Sequence, residues 1–257
     1  MNARLLVTGG RGFLGRQVCR AACAAGYAVT TLSLHAGGER AAGVEECLTA
    51  DLADADALKS ALAGRRFDYV VNCGGYIDHR RLQDGGRALI RSHFDGLLNL
   101  LELLDREELR RFVQIGSSDE YGGAPAPQHE DLREDPISPY SLAKASASHL
   151  LSMLWKTERF PATTLRLFLT YGPGQDNRRF LPQIIEGCLA GRAFPVSEGA
   201  QLRDFCYVDD VVKGILDCLT APEVGGEVIN LGSGIPVTIR HMIERVRALV
   251  GNGTPEF

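Results

Sequence analysis

An α/β fold, a doubly wound parallel sheet with a small C-terminal region, is what this sequence predicts, on three observations. Apolar, β-branched runs alternate with helical stretches through the first two thirds of the chain. The first of those runs ends in a glycine-rich turn that opens directly into a helix. The 257 residues are 45% apolar and 23% charged, enough chain and enough hydrophobicity for one large α/β domain or a domain with a smaller appendage.

The elements follow in order. Residues 5–8 form a short apolar strand and 13–25 a helix; 28–34 is rich in β-branched residues, as a strand should be. Residues 44–49 make a weaker strand, 55–63 a short helix and 67–71 a buried strand. A long helix over 87–104 precedes a strand at 112–115, a helix at 140–159 and a strand at 163–169. Such βαβ alternation implies a parallel sheet covered on both faces. Beyond Gly172 the pattern loosens, with helices near 179–190 and 209–219, a closing strand at 228–231 and a final helix at 239–250. The expected organisation is a dinucleotide-binding domain over 1–172, to which 209–231 contributes, and a small cap made mainly of 173–257. Leu97, Leu98, Leu100, Leu101, Leu103 and Leu104 cover more than one face of the long helix. Burial between sheet and neighbouring helix and pairing with a second subunit both account for that, so a homodimer through the long helices is expected.

Composition excludes several classes. A net charge of -4 gives no electrostatic footprint for nucleic acid. No run approaches 18 uninterrupted apolar residues, so no membrane span is expected. The first residues, Met1-Asn2-Ala3-Arg4, run straight into an apolar strand without a secretory pattern. Seven cysteines are scattered, several within apolar runs, with no metal-ligand spacing. The expected setting is a reduced, cytoplasmic protein without a bound metal.

The chemistry sits in three places. Thr8-Gly9-Gly10-Arg11-Gly12-Phe13-Leu14-Gly15 lies between first strand and first helix. Gly9, Gly12 and Gly15 permit a tight turn, close approach of backbone to a pyrophosphate and close helix–strand packing, with the phosphates resting on the helix N-terminus. Asp51-Leu52 follows the third strand, where an aspartate can bind an adenine or cap the next helix. Tyr140-Ser141-Leu142-Ala143-Lys144 places a phenol and an ammonium at i and i+4 on one helical face. A nearby cation favours the phenolate, preparing the tyrosine to exchange a proton with a substrate hydroxyl or carbonyl. Ser118, after the strand at 112–115, would donate to the same oxygen.

Together these residues resemble the extended short-chain dehydrogenase/reductases that modify nucleotide sugars. The marks are the glycine loop, Asp51-Leu52, Gly116-Ser117-Ser118-Asp119-Glu120-Tyr121-Gly122, Ser138-Pro139-Tyr140 with Lys144, Tyr171-Gly172-Pro173-Gly174-Gln175, Arg203-Asp204-Phe205, Tyr207-Val208-Asp209-Asp210-Val211 and Asn230-Leu231-Gly232-Ser233-Gly234. The resemblance implies a Rossmann-type domain that binds NAD(H) or NADP(H) through Gly9, Gly12, Phe13, Leu14, Gly15, Ser33, Asp51, Leu52, Tyr140 and Lys144. It makes Ser118, Tyr140 and Lys144 catalytic. It assigns the nucleoside-diphosphate sugar to Ser118, Asp119, Glu120 and Arg203, the last an arginine fork suited to the diphosphate.

Four departures from the pattern bear on detail. Ser33 ends the second strand where NAD-preferring members carry an acid; it leaves room for a 2′-phosphate that Arg11, His35 or Arg40 would neutralise. Leu169 stands where the family usually has an asparagine, and His93 does likewise on the long helix, where it reads as a packing or surface residue. The chain ends at Phe257, earlier than family members normally do: either the substrate cap is abbreviated or the chain is a fragment. Glu130, Asp131, Glu134 and Asp135, in a proline-containing loop, read as solvated charge.

The expected activity is hydride transfer at C4 of the hexose. Three reactions share the Ser118/Tyr140/Lys144 set: 4-epimerisation, 4,6-dehydration and reduction of a 4-keto sugar. Asp119-Glu120 looks like a dehydratase acid and base. The segment, however, is one residue shorter than the dehydratase form, and its compact spacing resembles 4-keto-6-deoxy sugar reductases, in which Glu120 would be aimed differently and simply cap the turn. The expectation leans to the reductase. A reading from another class, a dinucleotide-binding regulator without catalysis, is disfavoured by the intact Ser118, Tyr140 and Lys144.

Overall fold

The computed structural model describes residues 2–37 and 40–257. In chain order its elements are β1 (Arg4–Thr8), α1 (Phe13–Ala24), β2 (Ala28–Ser33), β3 (Glu46–Thr49), α2 (Ala55–Leu62), β4 (Tyr69–Asn72), α3 (Arg87–Ile90), α4 (Gly96–Leu103), β5 (Arg111–Ser117), α5 (Pro139–Glu158), β6 (Ala162–Leu167) and β7 (Leu169–Tyr171). Then come α6 (Phe180–Leu189), β8 (Ala193–Pro195), β9 (Leu202–Tyr207), α7 (Val208–Thr220), β10 (Val228–Leu231), β11 (Pro236–Thr238), α8 (Ile239–Val250) and β12 (Thr254–Glu256).

The chain divides into two compact units. The first, up to Leu167 together with Val212–Leu231, holds a sheet in the order β10-β6-β5-β4-β1-β2-β3. Every neighbouring pair in that sheet is parallel. This is the doubly wound order, in which the direction of winding reverses between β1 and β4. The strands are apolar on both faces because helices cover both. Leu6, Leu32, Val70 and Phe112 join Leu58, Leu62, Leu97, Leu100 and Leu151 from α2, α4 and α5 in one core. On β1, Leu5 and Val7 alternate with Leu6 and are fully buried as well. Helix α1 presents Gly15, Val18, Cys19 and Ala22, one stripe of its surface, to the interior. Each such leucine or phenylalanine contributes about 1.5–3 kcal/mol relative to exposure.

Two elements differ from the sequence expectation. The long helix over 87–104 is interrupted at Arg91–Asp95 by a π-helical turn, in which one extra residue is accommodated between α3 and α4. Leu97, Leu100, Leu101 and Leu104 are buried in the unit's own core, with Leu103 packed against it, while Leu98 is half-buried outside that core. The single strand over 163–169 is two strands: the chain leaves the large sheet after Leu167, and β7 pairs with β9 instead.

The second unit, Phe168–Val211 with Gly232–Phe257, contains the sheet β11-β9-β7 and the parallel pair β8 and β12. Its core gathers Leu181, Ile184 and Cys188 of α6, Phe205 of β9, and Ile239, Ile243 and Val246 of α8. No helix is long and apolar enough to cross a membrane among the described residues. All seven cysteines are free thiols.

Candidate active site

The carboxyl ends of β1 to β4 open onto a cleft of about 1000 Å³, at the point where the strand order reverses. Gly9, Arg11, Gly12, Ser33, Asp51 and Leu52 line it. Gly9 turns the chain at φ +65°, and its N–H donates to the Leu32 carbonyl at 2.7 Å. A Cβ on Gly15 would stand 2.2 Å from the Gly9 oxygen, so the helix packs on the turn only with glycine there. Gly12 is the extended N-cap of α1 with no side chain to cap the helix and no acid in the first turn. An N-terminus of this kind has amides and a dipole suited to an anion. Phe13 and Leu14 lie in that first turn, half-buried, and their side chains do not line the cleft. Asp51 accepts from the Ala53 amide at 2.9 Å, while the helix N-cap is Asp54, which accepts from Ala57 at 3.0 Å. Leu52 is fixed by Asn99, whose amide donates to its carbonyl at 2.8 Å. Ser33 is buried against the cleft, and its Oγ has no partner. A glycine cradle, an uncapped helix N-terminus and an orphaned buried hydroxyl fit a dinucleotide. Arg40 does not line the cleft; its charge acts on Cys23 instead.

Tyr140 and Lys144 form a second centre on α5. Ser138 caps the helix, accepting from the Ser141 amide at 3.1 Å, and Pro139 occupies the first turn. The cap places Tyr140 in the first turn with Lys144 one turn on, both buried. The Lys144 Nζ donates to the Ile115 carbonyl at 2.7 Å and lies 5.8 Å from the centre of the Tyr140 ring. Burial pushes the Lys144 ammonium down to about 8, against the opposing pull of Glu120 and Cys73. Ser118 follows β5 and opens a short 3-10 turn, Ser118–Tyr121, packed on α5.

Two histidines flank the tyrosine. The His93 ring meets the Tyr140 ring edge-on at 5.1 Å, and His79 does so at 5.8 Å. The π-helical turn carries His93 inward, where burial and then the Lys144 charge push its imidazole down to about 3. The neutral ring therefore donates from Nε2 to the Tyr76 carbonyl at 2.8 Å. His93 is thus a packing residue against Tyr140, whereas exposed His79 stands 3.7 Å from the Asp119 carboxylate. Nothing in the sequence signals His79, which sits in a polar loop after β4.

Glu120 points away from this centre. It is fully buried. One oxygen accepts from the Ser117 amide at 2.9 Å; the other accepts from the Ser148 hydroxyl at 2.7 Å and the Arg166 Nε at 2.8 Å. Arg166 also pairs with Glu134 and lies over the Tyr121 ring at 4.6 Å. Substrate contact by Glu120 is therefore corrected: it caps the 3-10 turn from inside and neutralises a buried arginine. The reading of Glu134 as solvated charge is corrected as well, whereas Glu130 is exposed. Glu134 faces Arg166 and His149, and Glu130 accepts from the Asn230 amide at 2.8 Å. Asp119, by contrast, remains partly exposed.

In the second unit Arg203 is exposed on β9 and donates to the Leu202 carbonyl. Asp204 is engaged elsewhere, accepting from Ser233 and Gly234 at 2.7–2.8 Å. The arginine is therefore not tied up in a pair with its neighbour.

The family described as NAD dependent epimerase/dehydratase matches residues 5–232. The chain belongs to that family. A UDP-glucuronate 4-epimerase of Thermodesulfobacterium geofontis is 29% identical over 204 residues, covering 78% of this chain and 62% of the epimerase. The chain thus spans less than two thirds of that relative. The dTDP-glucose 4,6-dehydratase 1 of Escherichia coli K12 is 28% identical over 259 residues, covering 89% of this chain and 72% of the dehydratase. Among solved structures, the UDP-glucose 4-epimerase of Thermus thermophilus in complex with NAD superposes with a TM-score of 0.86 at 26% identity, covering 98% of this chain and 85% of that one. The epimerase/dehydratase family is NAD dependent by description, and the relatives named here act on nucleotide sugars.

Proposed function

We propose that the chain binds a nicotinamide dinucleotide in the cleft and catalyses hydride transfer at C4 of a nucleoside-diphosphate hexose, as a reductase of 4-keto-6-deoxy sugars. The observation that carries the choice is the withdrawal of Glu120. Elimination across C5 and C6 needs one group to protonate the departing 6-hydroxyl and another to take the C5 proton. Of the adjacent pair Asp119-Glu120, only Asp119 is accessible. Reduction at C4 needs neither.

In this reading Tyr140 delivers the proton to the C4 oxygen, Ser118 orients that oxygen, and Lys144 supplies the charge beside the phenol and holds the ribose. Asp119 faces the sugar and Arg203 takes the diphosphate. The glycine turn, Asp51 and Leu52 hold the dinucleotide, which supplies the hydride when bound. Intact Ser118, Tyr140 and Lys144 favour this over a regulator without catalysis. A homodimer through the long helices belongs to the same proposal: with most α4 leucines internal, Leu142 and Met153 are the large apolar side chains exposed on α5.

A second reading, 4-epimerase, uses the same residues and is favoured by the named epimerase relatives. Incubation separates the two. With reduced dinucleotide and a 4-keto-6-deoxy nucleotide sugar, the protein is expected to oxidise one equivalent of dinucleotide per product formed. Interconversion of parent nucleotide hexoses without net dinucleotide consumption selects the epimerase, and release of a 4-keto-6-deoxy sugar from the parent hexose removes the argument from Glu120.

Turnover is also expected to fall as pH rises through about 8, because Lys144 is charged below that value and neutral above it. The alkaline limb of the kcat profile checks this. A profile flat well above that pH means the Lys144 charge is not required.

A further inference from the structure

We propose that His79 and Asp119 form a polar pair that reads the hydroxyl on C3 of the sugar, next to the reacting carbon. This rests on the reading of the Tyr140 centre as a C4 reductase and adds the groups that decide which sugars it accepts.

His79 stands in the loop after β4, and Asp119 in the 3-10 turn after β5. These strands are parallel neighbours, so both segments leave the sheet side by side at its carboxyl edge. The His79 ring meets the Tyr140 ring edge-on, and Asp119 directly follows Ser118. The pair therefore borders the two residues assigned to the C4 oxygen. On either side of His79, Asp78 and Arg80 are engaged with each other: the Arg80 amide and Nε both donate to the Asp78 carboxylate at 2.8 Å. His79 is exposed and Asp119 half-buried, so a ligand reaches both.

The Nε2 of His79 lies 3.7 Å from the Asp119 Oδ2. That is beyond hydrogen-bond length, so the two do not satisfy each other directly. It is, however, a separation that one hydroxyl spans, because an oxygen about 2.8 Å from each atom closes the triangle. A hydroxyl both donates and accepts, an imidazole N–H donates, and a carboxylate accepts. The pair thus offers both complementary partners of a single alcohol. The sugar carbons that adjoin C4 are C3 and C5. In a 4-keto-6-deoxy sugar C5 carries a methyl group, which makes no hydrogen bond of this kind. The C3 hydroxyl is the alcohol beside the reacting carbon.

Steady-state reduction of a 4-keto-6-deoxy nucleotide sugar and of its 3-deoxy analogue, followed by dinucleotide oxidation, tests this. With the unaltered chain the analogue is expected to lose on the order of tenfold or more in kcat/KM, the scale of hydrogen bonds that include a charged partner. The loss should fall on KM rather than kcat, because the hydroxyl takes no part in the reaction. His79→Phe keeps an aromatic edge against Tyr140 but removes the donor, and it is expected to erase the difference between the two substrates. Asp119→Ala, which removes the acceptor, is expected to do the same. If His79→Phe slows both substrates alike and leaves their ratio intact, His79 is only a packing residue and the proposal is overturned. An unaltered chain that accepts the analogue equally well overturns it too. In either case the reductase reading stands. If the unaltered chain reduces neither substrate, both readings fall.

Discussion

Tyr140→Phe is expected to lower turnover by about 10²–10⁴-fold, the usual contribution of a positioned proton donor, while dinucleotide affinity stays within a few-fold. The phenyl ring keeps the edge-on contacts with His79 and His93. The helix cap at Ser138 and the Lys144 bond to Ile115 do not involve the hydroxyl. What is removed is the oxygen proposed to exchange a proton at C4. Steady-state kinetics with a parallel binding titration separate the two effects. Turnover within a few-fold of the unaltered chain takes Tyr140 out of the mechanism.

Arg166→Met is expected to cost about 3–5 kcal/mol of stability, the range for removing one partner of a buried ion pair. Arg166 is 1% exposed, and its loss leaves the Glu120 carboxylate buried with only the Ser117 amide and the Ser148 hydroxyl. The double variant Arg166→Met with Glu120→Leu should recover part of that cost, because apolar groups of similar size replace a buried pair at little loss. Denaturant unfolding measures both. A loss below about 1 kcal/mol in the single variant means the pair is not a stability element. Acid acts on the same cluster. Burial pushes the Glu134 carboxyl up, but its backbone bond, Arg166 and His149 together hold it below its ordinary value. Its contribution is therefore present above the unfolded carboxyl range and is lost as pH falls through the lower, folded value.

How much of this was legible in the sequence follows from how local each signal is. The glycine turn and the Tyr140/Lys144 spacing are encoded within a few residues, because turn geometry and helical periodicity place them without help from the rest of the chain. The missing acid at Ser33 could be read in the same way. The direction of Glu120 could not be settled, because it depends on Arg166 and Ser148, which reach it through folding rather than along the chain. Glu134 looked solvated for the same reason: its partner Arg166 lies on β6. The meeting of His79 and His93 on Tyr140 depends on a loop and a π-helical turn, and neither has a sequence period that announces it. The split of the strand over 163–169 was hidden because both halves are equally β-prone and only their pairing partners differ.

The central claim, that the Tyr140 centre serves hydride transfer at C4 without elimination at C6, is tested most directly by following label. Reduced dinucleotide carrying deuterium at its transferable position is mixed with the protein and a 4-keto-6-deoxy nucleotide sugar, and the product is read by NMR. Deuterium bound to C4 of the sugar, beside a new hydroxyl and with the C5 proton retained, is the predicted result. A C4 free of deuterium, or release of the 6-hydroxyl from a parent hexose with solvent hydrogen entering at C5, contradicts it.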